Sequence, residues 1–197
     1  IQGNGPVNCA VTRYAYDESG NLTEIITPDG NEIRRSYDWN NRLTEERTID
    51  KKNTIDRRVC YGYDAAGNLL CEMVRGAEGE CLETRYQYDL KDRLTHQVTQ
   101  GGAVTRYLYN QNDQLIKEIR PHGYEAGTDE GTGTAYSYDC RGNRVRTING
   151  FGQLVKEQAY NLQDLPVAEK DGLGNETGLN YTLDGQVKDV TRGSGTR

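Results

Sequence analysis

Two histidines, five cysteines, many carboxylates and fourteen tyrosines are the side chains here that could carry chemistry. His96 and His122 stand 26 residues apart, and neither has a Ser-His-Asp order or a metal-type spacing around it. Proton transfer and metal binding need such partners, so both histidines read as surface or packing residues. Cys9, Cys60, Cys71, Cys81 and Cys140 form an odd set without a CxxC pair. A zinc site is therefore not expected; free thiols set in strands as small apolar groups are. Cys60 and Cys71 flank one expected turn and are the pair best placed for a bridge. Asp17, Asp38, Asp64, Asp89 and Asp139 recur regularly enough to suggest calcium. No single loop gathers the several oxygens calcium takes, whereas turn formation accounts for all five. Tyrosines can stack on sugars, yet they are also what cross-strand packing uses. The expectation is a chain with no catalytic, metal or cofactor-binding residues and no cofactor. A hydrolase would need two close carboxylates that titrate apart, which no spacing here predicts.

Composition narrows the class further. Apolar residues make up 34% of the 197, and mean hydropathy is -0.88, values that border on disorder. The fourteen tyrosines, only four prolines and well-mixed charges oppose that reading. Thirty acidic and 24 basic residues leave a net charge of -6, which argues against nucleic acid and anionic membrane surfaces. No run approaches 18 apolar residues, so no membrane insertion is expected. The chain opens at Ile1 and has its sole methionine at Met73, which suggests a piece excised from a longer protein.

The elements that position these residues repeat. Tyr-Asp occurs at Tyr16, Tyr37, Tyr63, Tyr88 and Tyr138, with degenerate copies at Tyr109, Tyr160 and Tyr181. The spacings are 21, 26, 25, 21, 29, 22 and 21, so the unit is 21 residues and the excess is insertion. Four residues past each tyrosine stand Gly20, Asn41, Gly67, Asp92, Asp113, Gly142, Asp164 and Gly185. Gly, Asn and Asp are only 53 of the 197 residues, so eight out of eight exceeds composition. These types tolerate a left-handed backbone. Asp or Asn directly after the tyrosine accepts backbone hydrogen bonds at the start of a type I turn. Together they predict a three-residue hairpin loop closed by a left-handed residue.

Flanking patterns agree. Tyrosines double on one strand face at Tyr14/Tyr16, Tyr61/Tyr63, Tyr86/Tyr88, Tyr107/Tyr109 and Tyr136/Tyr138. Six past each repeat tyrosine lies a column of Leu22, Leu43, Leu69, Leu94, Leu115 and Val187, broken by Arg144 and Pro166. Second turn signals follow, such as Pro28-Asp29-Gly30-Asn31 and Asn149-Gly150. Extra length is expected in the loops of this second rim, at Gly76 to Gly79 and Arg120 to Gly133. The predicted fold is all-β: consecutive antiparallel hairpins in one continuous curved or spiralling sheet. Residues 1–197 would form a single array of about eight repeats. A structural tyrosine ladder would run through Tyr14, Tyr16, Tyr37, Tyr61, Tyr63, Tyr86, Tyr88, Tyr107, Tyr109, Tyr136, Tyr138, Tyr160 and Tyr181.

Tyr-x-Tyr-Asp-x-x-Gly-Asn-Leu, complete at Tyr14–Leu22 and Tyr61–Leu69, resembles the YD repeats of the Rhs family. That family includes bacterial polymorphic toxins, shell components of insecticidal toxin complexes, and animal teneurins. The resemblance runs through all 197 residues. It implies one wall segment of a hollow shell that encapsulates or presents a C-terminal toxin or partner chain. The implied partners are the rest of the parent chain, with further YD repeats and an enclosed C-terminal domain. The implied location is secreted, cell-surface or delivered by a bacterial secretion system. Family shells often end in a DPxG-type plug and an acidic self-cleavage site; Asp171-Gly172-Leu173-Gly174 reads only as a turn, so neither cleavage nor toxin activity carries over. Open sheet edges favour self-association. A carbohydrate-binding or adhesion module, with a glycan on exposed tyrosines, is the alternative.

Overall fold

A computed structural model describes residues 10–52, 56–76 and 79–194. No α-helix occurs among them. The first two hairpins are β1 (Arg13–Tyr16) with β2 (Leu22–Ile26), and β3 (Glu32–Tyr37) with β4 (Leu43–Ile49). The next two are β5 (Asp56–Tyr63) with β6 (Leu69–Arg75), and β7 (Cys81–Tyr88) with β8 (Leu94–Thr99). Then come β9 (Val104–Tyr109) and β10 (Leu115–Ile119), followed by a short ladder of β11 (Tyr124–Glu125) and β12 (Glu130–Gly131). Three more hairpins close the chain: β13 (Thr134–Tyr138) with β14 (Arg144–Ile148), β15 (Leu154–Tyr160) with β16 (Pro166–Asp171), and β17 (Glu176–Tyr181) with β18 (Val187–Gly193). All but β11 and β12 are hydrogen-bonded in chain order in one 16-stranded antiparallel sheet. The all-β fold of serial hairpins is thus the observed one.

Residues pack into two compact units. The first holds Ile1–Arg93 with Gln97–Gly102; the second holds Leu94–His96 with Ala103–Arg197. Each has a thin interior: Val59, 1% exposed, is the buried residue of the first, and Ile119, 0%, that of the second, among the described residues. With so little aliphatic burial, backbone ladders and polar side-chain bonds carry more of the stability. Consistent with that, no buried side-chain polar atom lacks a partner among the described residues.

Each hairpin closes the same way. The repeat tyrosine pairs with the residue six positions on, as in Tyr16↔Leu22, Tyr37↔Leu43, Tyr63↔Leu69 and Tyr138↔Arg144, and the register slips by one residue just before it. The Asp17 N–H donates to the Asn21 carbonyl at 2.9 Å, and the Gly20 N–H to the Asp17 carbonyl at 3.1 Å. That is a type I turn closed by a left-handed bulge residue, whose added twist suits the strands.

The opposite rim corrects one expectation. Gly76 to Gly79, of which Ala77 and Glu78 lie outside the described residues, does not hold the extra length: the Gly76 N–H donates to the Glu80 carbonyl at 3.0 Å, and Gly79 has φ 86°. The extra residues between Tyr63 and Tyr88 lie in the strands, since β6 and β7 have 7 and 8 residues where β2 and β3 have 5 and 6. Strands can lengthen in pairs without disturbing register. Only residues 120–133 form a long loop insertion among the described residues, with a 3₁₀ turn at Pro121–Gly123 and the β11–β12 ladder. Cys60, Cys71, Cys81 and Cys140 are free thiols. Cys71 pairs across the ladder with Gly62, and Cys60 with Met73, so Cys60 and Cys71 do not face each other. Cys9 lies outside the described residues.

Candidate functional site

The ladder tyrosines send their hydroxyls across to the preceding hairpin. In the first unit Tyr37 donates to the Leu22 carbonyl at 2.9 Å, Tyr63 to Leu43 at 2.8 Å and Tyr88 to Leu69 at 3.0 Å. In the second, Tyr109 donates to Leu94 at 2.9 Å, Tyr138 to Leu115 at 2.8 Å, Tyr160 to Arg144 at 3.2 Å and Tyr181 to Pro166 at 2.7 Å. Each acceptor sits six residues past the previous repeat tyrosine. A carbonyl is available whatever the side chain, so Arg144 and Pro166 interrupt the leucine column without interrupting the bond. Tyr16 belongs to the first described hairpin and is 62% exposed; its neighbour Tyr14 is 58% exposed.

Apart from Tyr14, the other tyrosine of each doublet is half-buried on the same strand. Burial pushes the Tyr61, Tyr107 and Tyr136 hydroxyls upward in pKa, with Glu72 and Glu118 adding to the effect. The Tyr136 hydroxyl donates to Glu118 at 3.3 Å. Tyr86 is also half-buried. Arg144 earns its place in the leucine column by lying over the Tyr136 ring, 4.2 Å from its centroid. Arg42 does the same over Tyr63 at 4.8 Å.

The turn residues form a second set. Gly20, Asn41, Gly67, Asp92, Asp113, Gly142, Asp164 and Gly185 have φ of 86°, 61°, 102°, 59°, 63°, 95°, 59° and 81°. One oxygen of Asp17 accepts the Ser19 and Asn21 N–H groups, and the other accepts the Asn21 side-chain amide at 3.0 Å. Asp38, Asp64, Asp89 and Asp139 use their turns in the same manner. The bonds hold these carboxyls below the usual range. Asp89, gripped chiefly by the Arg93 guanidinium, falls to about 2. Neighbouring turns are also laced: the Asn21 amide donates to the Asn41 side chain at 2.8 Å, Asn68 to Asp92 at 2.8 Å, and Asn143 to Asp164 at 2.7 Å.

A third constellation had no sequence signal. In the second unit His96 Nε2 lies 2.8 Å from Asp129 Oδ1, the Tyr124 hydroxyl donates to the same oxygen at 2.8 Å, and Arg106 Nε donates to Oδ2 at 3.2 Å. Bonds from His96 and Tyr124 and the charge of Arg106 lower the Asp129 pKa. Asp129 contributes through an insertion 33 residues from His96, a separation no motif spacing would reveal. His122 is exposed in the same insertion. No cluster of three potential metal ligands occurs among the described residues.

This arrangement resembles known proteins. The family model described as RHS Repeat matches residues 10–32 and 16–52. Double-stranded DNA deaminase toxin A of Burkholderia cenocepacia (strain H111) is 30% identical over 145 aligned residues, covering 67% of this chain and 9% of that protein. Probable deoxyribonuclease RhsB of Dickeya dadantii (strain 3937) is 28% identical over 179 residues, covering 90% of this chain and 11% of that protein. The chain thus spans about a tenth of the length of these curated relatives. Among solved structures, the TcdB2–TccC3–Cdc42 crystal structure superposes with a TM-score of 0.62 at 13% identity, covering 94% of this chain and 12% of that one. The TcdB2–TccC3 crystal structure gives 0.60 at 12%, covering 94% and 12%. At such identity the superpositions establish the fold alone, which this chain shares with part of the TcdB2–TccC3 structures.

Proposed function

We propose that this chain, an array of Rhs-family repeats, is one wall segment of a larger shell that encapsulates or presents a C-terminal toxin or partner chain. The observation that carries the reading is the series of tyrosine hydroxyls tying each hairpin to the one before, from Tyr37 to Tyr181. Such a joint works the same way at seven successive repeats, so it suits a wall that grows by adding hairpins. The wall does no catalysis of its own; residues 1–197 act as a single run of about eight repeats within a longer secreted or delivered protein. Its partners are the further repeats and the chain they hold. Deaminase and nuclease names belong to relatives of which this chain matches a small share. A glycan platform is less suited, because seven repeat tyrosines already spend their hydroxyls on carbonyls.

Limited proteolysis of the full-length protein that carries the array tests the reading. The segment following the array should survive while the repeats stay folded and be cut once they are denatured. Cleavage of that segment at the rate of an unfolded chain, with the repeats intact, contradicts encapsulation.

A further inference from the structure

The insertion at residues 120–133 is built differently from every turn around it. Its own ladder is two residue pairs long, Tyr124↔Gly131 and Glu125↔Glu130, with two further backbone bonds, from the Thr132 N–H to the Gly123 carbonyl at 2.9 Å and from the Thr128 N–H to the Glu125 carbonyl at 3.1 Å. A two-stranded ribbon of that length is not stable alone. Its feet are glycines that pass closely: a Cβ on Gly123 would collide with the Thr132 carbonyl, and one on Gly131 with the Gly123 carbonyl. Against the sheet it places Asp129, in a left-handed conformation at φ 55°, between His96 of β8 and Arg106 of β9.

The groups that receive Asp129 are fixed independently of it. Arg106 Nη1 donates to the Thr95 carbonyl at 3.2 Å and to the Tyr107 carbonyl at 2.7 Å. His96 Nδ1 lies 3.1 Å from Thr95 Oγ1. Arg106 and His96 are 17% and 16% exposed, whereas Asp129 is 46% exposed. A half-exposed carboxylate on a weak ribbon thus enters a half-buried pair of donors anchored to the sheet. We propose that residues 120–133 form a strap that lifts from the sheet as a unit, with Asp129 as its latch and Arg106 and His96 as a catch that stays formed when the strap is open. The inference stands apart from the shell reading, because it concerns one contact within the second unit.

Hydrogen exchange read by mass spectrometry, on the same chain with and without Asp129→Asn, tests it. Amides in 120–133 should exchange about tenfold faster in the variant, the scale of one lost charge-assisted bond. The hairpins β15–β16 and β17–β18 should keep their protection. Equal loosening of those hairpins, or no change in the strap, overturns the proposal. The catch has its own readout: the Arg106 Nε–H signal in NMR should stay ordered in D129N, and its loss to averaging counts against a preformed catch. Should D129N not fold, His96→Ala removes one donor and should speed strap exchange about threefold with the same regional pattern. The same contrary outcomes apply to it.

Discussion

Asp89 in a repeated turn and Asp129 in the insertion are both carboxylates gripped by an arginine, yet they are assembled by opposite means. Asp89 takes its partners from its own turn: the Lys91 and Arg93 N–H groups and the Arg93 guanidinium at 2.7 Å. Asp129 takes His96, Arg106 and Tyr124 from three separate strands. The first arrangement needs only five consecutive residues of chain, so its backbone bond to the side chain after the tyrosine recurs along the array, with Asn110, Asn161 and Thr182 standing in for aspartate in three repeats. The second needs a fold already in place, and it occurs once among the described residues. Local bonds build the sheet; the non-local one decorates it.

Acid should expose this contrast most strongly, because it strikes all the turns together. The carboxyls of Asp17, Asp38, Asp64 and Asp139 are lowered by their turn bonds, and Asp89 lies at about 2. Groups with depressed folded-state pKa stabilise fully above their unfolded values near 4 and lose that contribution as pH falls through the folded ones. Melting temperature should therefore hold steady down to about pH 4 and drop toward pH 2, with Asp89→Asn flattening part of the drop. A flat profile would detach the turns from stability.

A smaller loss is expected from Gly67→Val, which forces a β-branched residue to φ 102°. Denaturant titration should show a cost of about 1–3 kcal/mol. Tyr63→Phe removes one hydroxyl bond to the Leu43 carbonyl and should cost about 0.5–1.5 kcal/mol. Smallest is Asp129→Asn, whose effect on global unfolding should stay within about 0.5 kcal/mol, because it loosens only the insertion. A larger global loss there would erase the distinction between sheet and decoration.

The fold could be read from the chain because its signals are local and reiterated: tyrosine doublets, a turn residue at a fixed offset, and a second turn signal. Loop and strand extensions could not be told apart, and the residues between Tyr63 and Tyr88 went to the strands. The destination of the hydroxyls was equally hidden, since their acceptors are carbonyls that leave no mark on residue type; Arg144 and Pro166 looked like defects for that reason. His96 offered no sign of Asp129, because that pairing is made by the sheet bringing β8 beneath the insertion.

The joint between hairpins is tested most directly by replacing Tyr37, Tyr63 and Tyr88 with phenylalanine together and following native-state hydrogen exchange in the first unit. Protection should fall in β2, β4 and β6, whose carbonyls at Leu22, Leu43 and Leu69 lose their donors, while the second unit keeps its own. Unchanged protection in those three strands would show that the rings merely fill space and that the hydroxyls do not hold the hairpins together.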